Sequence, residues 1–424
     1  MKAVRIVLWA SVVVSAVLPV HATAEPADMA RRTEELKSLK WGMFICWSFS
    51  TFSGKEWTPG VTGVSFFKAT GCDTDQWART AKEAGMGYIL FLTKHHDGFC
   101  LWDTKTTDRK VTKTPLGRDV LAALRRSCDK HGIKLALYFS EGDWTWPGAV
   151  DGKGWQAGVG KNPGMKKAQL KELLTQYGPV EYIWFDHAVG DGGLSHADTI
   201  AFCQSLQGGC FIGFNHGDQQ GADIRLGELG RPGPLEDHTA AGPYLKDAPS
   251  KSYRLAEFTY PILPPHEGGA MWFYSLPIHD ALCHPAEKLY RDYLGAVKFG
   301  NIFSLDVGPD YAGRLREVDV QTLRTVGEMI RRNAPDPGDG AVAEAWGFPQ
   351  RTEAARDERS ARTDLVGRPA PPSSSVCRPA GRYPFAGTEG FPLEPGALDF
   401  DTQVLPHEQE GGEGLVEVSR TGVG

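Results

Sequence analysis

From residue 41 to about 333, short apolar runs alternate with longer amphipathic stretches, and no other feature of the chain restricts its fold as tightly. A brief apolar run followed by a stretch of helical period reads as a βα unit, and repeated units imply a parallel sheet with helices outside it. Candidate strands are Trp41–Trp47, Tyr88–Thr93, Lys134–Phe139, Glu181–Phe185, Cys210–Phe214, Arg254–Phe258, Met271–Tyr274 and Asn301–Asp306. That number predicts an α/β fold, a (β/α)8-like barrel. A helix is expected to start at Asp73, with Gln76 three residues on as in a capping box, and to stop at Gly85. Further helices are expected over Arg118–Lys130, Met165–Tyr177 and Val318–Arg332. The fifth to seventh units are less regular, so distorted or missing helices are expected there.

The ends of the chain read differently. Residues 1–24 combine Lys2 and Arg5 with an apolar run from Ile6 to Val20 and then Ala22-Thr23-Ala24, the pattern of a cleaved signal peptide. The run is shorter than the ~20 residues needed to span a bilayer, so the expectation is export, periplasmic or secreted, rather than anchoring. Residues 25–333 are then expected to form the barrel domain. Residues 334–424 are rich in Pro, Gly, Arg and Glu, include Pro369-Ala370-Pro371-Pro372-Ser373-Ser374-Ser375, and read as a low-complexity or disordered tail. A net charge of −6 gives no basic footprint for nucleic acid. The eight cysteines are too sparse for a stapled scaffold, and Cys46 and Cys100 sit in strand-like text that suits buried thiols.

In a parallel barrel, chemistry is carried at the carboxyl ends of the strands. Those positions are polar here: Lys94-His95-His96-Asp97 after the second strand, Ser140-Glu141-Gly142-Asp143-Trp144 after the third, Asp186-His187 at the fourth, and Asn215-His216, Glu257 and Asp306 later. Asp186 closes an apolar strand, where a carboxylate is costly to bury unless it is paired or faces a cleft. Glycoside hydrolysis needs two carboxyl groups, and Glu228, Glu236, Glu257 and Glu267 are candidates for the second. Glu228 stands in a Gly-flanked stretch read as a loop over the barrel mouth, Glu257 within a strand. The pair His95-His96 could suggest a metal, but neighbours on an extended strand point to opposite faces and no H-E-x-x-H spacing is present. Imidazoles suit sugar hydroxyls, since they donate and accept hydrogen bonds. No Walker or Rossmann glycine pattern occurs, so no cofactor and no metal are expected.

The segments Trp41–Trp47, Glu56-Trp57, Thr93-Lys94-His95-His96-Asp97-Gly98-Phe99, Ile183-Trp184-Phe185-Asp186 and Gly300–Pro309 resemble, in order, landmarks of the α-L-fucosidases of glycoside hydrolase family 29. The resemblance covers about residues 36 to 333 and implies a retaining exo-hydrolase acting on oligosaccharides or glycoconjugates. It implies Asp186 as nucleophile, and Glu56, Trp57, His95, His96, Tyr138 and Trp184 as residues lining the sugar subsite; Cys46, Trp47 and Trp272 complete the candidate binding set. The acid/base position lies in a variable region of the family; Glu228 is the choice and Glu257 the reserve. Where the family has His-Trp-Gly on the first strand, this chain has Cys46-Trp47-Ser48. The usual C-terminal β-sandwich is not legible in the tail. Two rival readings are a catalytically silent carbohydrate-binding barrel and, ranked last, a metal-dependent barrel hydrolase.

Overall fold

The computed structural model describes residues 28–149, 160–187, 190–215, 221–230, 232–233 and 253–337. The expected signal peptide, the tail from residue 338 onward and Glu236 therefore lie outside the described residues. Eight parallel strands form one sheet: β1 Trp41–Ile45, β2 Tyr88–Lys94, β3 Lys134–Ser140, β4 Tyr182–Asp186, β5 Phe211–Phe214, β6 Ile224–Glu228, β7 Leu255–Pro261 and β8 Ile302–Asp306. The hydrogen-bonded order is β5-β4-β3-β2-β1-β8-β7-β6, so the sheet wraps into a (β/α)8-like barrel whose last seam, between β5 and β6, has no strand ladder among the described residues.

Among the described residues, eight α-helices accompany the strands: α1 Met29–Ser38, α2 Phe49–Ser53, α3 Thr74–Glu83, α4 Val120–His131, α5 Pro163–Gln176, α6 His196–Leu206, α7 Ala286–Lys298 and α8 Glu317–Arg331. The Asp73 carboxylate caps α3 by accepting from Gln76 N at 2.9 Å, and Gly85 takes the left-handed conformation that ends it. Only half of the expected capping box forms. The Gln76 amide turns away to bond both Leu315 N and Leu315 O, fastening α3 to the segment before α8. Among the later units, α6 and α7 are regular helices, which the weak periodicity had not announced.

Two strands differ from the sequence expectation. Met271–Tyr274 is irregular backbone, and the missing strand is β6, read as a loop because Arg225 and Gly227 interrupt its five residues. Its partner decides it: β6 pairs with β7 in parallel, Leu226 opposite Glu257 and Glu228 opposite Thr259. Met271–Tyr274 is instead pulled to the barrel mouth, where Met271 N donates to the Glu56 carboxylate at 2.8 Å.

The barrel interior fills in layers. In the lower one the Tyr88 and Tyr182 hydroxyls meet Ser304 Oγ at 2.7 and 3.0 Å. Gly42 on β1 makes room for the first of these rings, since a Cβ there would lie 2.5 Å from Tyr88. Above it Phe44, Tyr138 and Trp184 pack ring against ring at 5.4 to 6.3 Å. The polar mouth begins directly on this aromatic floor.

Candidate active site

Asp186 ends β4 with its side chain inward, two residues beyond Trp184. Three donors converge on its carboxylate. The Tyr138 hydroxyl donates to Oδ2 at 2.5 Å, while His187 N and the Asn215 amide donate to Oδ1 at 2.7 and 2.9 Å. Burial, and then the neighbouring Asp186, push the Tyr138 phenol well above its ordinary range, so it stays a donor. His187 adopts a left-handed backbone with φ of 54°, and the turn points its N–H back at the preceding carboxylate.

The Asn215 amide also reaches the second carboxyl group. Its Nδ2 donates to Glu228 Oε2 at 2.8 Å as well as to Asp186. One trigonal nitrogen with a hydrogen on each oxygen holds those oxygens roughly 5 Å apart. Glu228 is thus not on a loop over the mouth: it is the last residue of β6 and half-buried beside Asp186.

The reserve candidate is placed differently. Glu257 lies midway along β7, fully buried beneath the aromatic floor, and accepts from Trp184 Nε1 at 3.2 Å. Burial raises its pKa to about 7, with hydrogen bonds from Ser304 and Trp184 opposing the rise. It supports Trp184 from below and is screened from the mouth by that ring. Glu267 is exposed in the segment after β7.

His95 and His96 follow the end of β2, where the chain turns and Gly98 N bonds back to His95 O, so the strand alternation no longer applies. Both rings face the same side, 4.1 Å apart. Ser140 Oγ accepts from Gly142 N and lies 2.5 Å from His96 Nδ1. With the hydroxyl hydrogen turned to Nδ1, the imidazole proton sits on Nε2, which faces Asp186 Oδ2 at 3.6 Å. Burial pulls the His95 pKa well down and keeps that ring neutral, and its Nδ1 is buried with no hydrogen-bond partner.

Glu56 enters from the opposite rim, accepting from Met271 N and, at 3.4 Å, from Trp272 N. Burial lifts its pKa to about 7, and the negative charge of Glu228 adds to the rise. Trp57 and Trp272 are partly exposed, the latter with its ring 6.2 Å from Phe44. Trp47 departs from its expected role. It is fully buried, edge-on to Phe67 and Trp77, and its Nε1 donates to Asp310 O at 2.9 Å, so no face is left for a sugar ring. Cys46 is buried against Asp306 at the end of β8. Burial raises the Asp306 carboxyl well above the carboxylate range, and neither oxygen has a hydrogen-bond partner of good geometry. Burial raises the Cys46 thiol too, and all seven described cysteines are free thiols.

Asn215 and Asp306 are the two residues that sequence reasoning noted only as polar strand ends. Strand-end polarity was the available signal. That one amide would bridge two carboxylates needed the coordinates of three strands.

Fold and site define a class: a parallel (β/α)8-like barrel whose mouth holds two carboxyl groups joined by one amide above an aromatic floor. The family model for alpha-L-fucosidase matches residues 61–335, and the chain belongs to that family. Alpha-L-fucosidase 1 of Arabidopsis thaliana is 29% identical over 308 residues, 68% of this chain and 57% of its own. The chain thus spans less than two thirds of that relative. A crystal structure of a glycoside hydrolase 29 family member from an unknown rumen bacterium superposes with a TM-score of 0.57 at 26% identity, covering 72% of this chain and 57% of the other. Alpha-L-fucosidase isoenzyme 1 from Paenibacillus thiaminolyticus shares the fold with a TM-score of 0.59 at 24% identity, covering 72% and 76%.

Proposed function

We propose that this chain is a retaining exo-glycoside hydrolase that removes a terminal α-L-fucosyl or closely related α-L-sugar residue from an oligosaccharide or glycoconjugate. The observation that carries the reading is the bridge from Asn215 to Asp186 and Glu228. A spacing of roughly 5 Å suits attack by one carboxylate and leaves no room for the intervening water that inversion needs at ~6.5–9.5 Å. Asp186, held ionised by three donors, attacks the anomeric carbon while Glu228 delivers a proton to the departing oxygen. Water then enters on the leaving-group side, gives its proton to Glu228 and displaces Asp186. The neutral His95, with His96 and Glu56, offers donors and acceptors for ring hydroxyls around that centre. Family membership supports the fucosyl class.

The test is a hydrolysis panel of aryl α-L-fucoside, α-L-glucoside, α-L-rhamnoside and β-D-galactoside, with the first-formed anomer followed by proton NMR. The α-L-fucoside should turn over with the α-anomer appearing first. The β-anomer appearing first would remove the double displacement, and no turnover of any member would return the chain to a sugar-binding role. We further infer export, from the leader-like first 24 residues. Expression of the full chain in a secreting host, followed by N-terminal sequencing, should find cleavage after Ala24; retention of Met1 would refute it.

A further inference from the structure

We propose that Asn215 is a positioning residue that sets the distance between Asp186 and Glu228 across the open seam of the barrel. The inference rests on the reading of those two carboxyl groups as the reacting pair.

The seam is what makes such a residue necessary. Asp186 sits on β4, which is laddered to β3 and β5, while Glu228 ends β6, whose ladder runs only to β7. Without a β5–β6 ladder among the described residues, no strand register runs directly from Asp186 to Glu228 across the seam. One backbone hydrogen bond and a set of side-chain contacts close the gap instead. At the lower end, Asp223 N donates to Ile212 O at 2.8 Å and its carboxylate accepts from Ile212 N at 3.1 Å. In the middle, Leu226 packs on Gly213, where a Cβ would come within 2.8 Å of it. At the mouth the Asn215 amide closes it.

Asn215 is built to act as a gauge. Its backbone N–H donates to Phe185 O at 2.8 Å, so it is referenced to the strand that carries Asp186. Its side chain is buried, and both hydrogens of Nδ2 are committed, one to each carboxylate. Only the amide nitrogen can serve here, because each carboxyl group presents an acceptor oxygen to it.

The experiment compares Asn215→Ala, Asn215→Ser and Asn215→Asp in the full chain, using an aryl α-L-fucoside and recording kcat, KM and the pH–rate profile. Hydrogen bonds to charged groups are strong enough that the alanine variant should lose about 100-fold in kcat, with KM held within about threefold. Its acidic limb should move to higher pH, because the attacking Asp186 carboxylate loses a donor to its ionised form. Serine, with one donor, should recover about tenfold. Aspartate matches the shape but brings an acceptor, so its activity should be lowest at neutral pH and rise as the pH falls. A merely structural asparagine would shift the melting temperature without moving the acidic limb or ordering the variants this way. Unchanged kcat and limb in Asn215→Ala overturn the proposal; if that protein does not fold, an unchanged profile in Asn215→Asp does so. Asp186→Asn is assayed alongside. Turnover there breaks the reading of the pair itself, whereas its silence beside unaffected Asn215 variants breaks only this proposal.

Discussion

The β2–β4 side of the barrel and the β5–β6 side solve the same problem by different means. On the first, ladders fix the strands, and the loops above them stand on buried charge. Lys94 pairs with Asp143 at 2.8 Å between Phe139 and Trp146, and Glu141 is held by Lys166 and His196. His96, Ser140 and Asp186 are therefore positioned by backbone and by closed polar networks. On the second side, the strand that carries Glu228 meets β5 through one backbone hydrogen bond and side-chain contacts rather than a ladder. A nucleophile must meet one carbon, whereas an acid that later becomes a base must serve a leaving oxygen and then a water. In the proposed mechanism the rigid half carries the first task and the seam carries the second.

Substitutions on the two sides should therefore fail differently. The largest effect is expected for Asp186→Asn, which keeps the shape and removes the attacking charge; kcat should fall about 10⁴-fold with the melting temperature nearly unchanged. Steady-state kinetics with thermal melts checks this, and near-wild-type turnover would take Asp186 out of the mechanism.

Next comes Glu228→Ala. Substrates with poor leaving groups should lose about 10²–10⁴-fold, activated aryl glycosides far less, because only the former need a strong proton donor. Glu257→Gln is the control on the buried side. Its effect should be equal for both substrates, and visible in stability. The native carboxyl has a pKa near 7, above its value in the unfolded chain, so the folded state binds the extra proton between roughly pH 4.5 and 7. Stability from this group is thus greatest below that window and is lost as pH rises through it, by on the order of 3 kcal/mol. Glu257→Gln should abolish that decline, so that its melting temperature exceeds wild type at pH 8 and matches it near pH 4.5. A larger selective loss on poor leaving groups in Glu257→Gln than in Glu228→Ala would exchange the two roles.

A smaller effect is expected at the middle of the seam. Gly213→Ala forces a Cβ against Leu226 and should cost about 1–3 kcal/mol by overpacking, measured by denaturant titration. Since Leu226 moves with Glu228, the loss in rate should again favour poor leaving groups. Equal loss on both substrate classes would mean that the seam does not set the acid's position.

The smallest change concerns Cys46→His. A thiol is a weak hydrogen-bonding group, so the wild-type enzyme should select weakly for L-fucoside over its 4-epimer. An imidazole at this position could meet the adjacent Asp306 carboxyl and a ring hydroxyl together, raising that selectivity about tenfold. Matched aryl glycosides measure it, and an unchanged ratio would remove Cys46 from specificity.

Much of this molecule was fixed locally. Apolar runs bounded by turns specify β1 to β5 and β8 with little error, because a strand buried on both faces needs little beyond its own composition. Asp73 and Gly85 mark the ends of α3 for the same reason: capping is chemistry between near neighbours. Asp186 was legible because a carboxylate closing such a run has few inexpensive alternatives. Only the tertiary structure decided the rest. β6 is a strand through its pairing with β7, and Met271–Tyr274 is not one because Glu56 claims its amides. His95 and His96 share a face because a turn replaces the strand beneath them, while Trp47 goes to the core because Phe67 and Trp77 surround it. The bridge from Asn215 to Asp186 and Glu228 joins residues 29 and 13 positions apart in the chain. No periodicity encodes such a contact; it exists only where closing a barrel brings three strand ends within the reach of one amide.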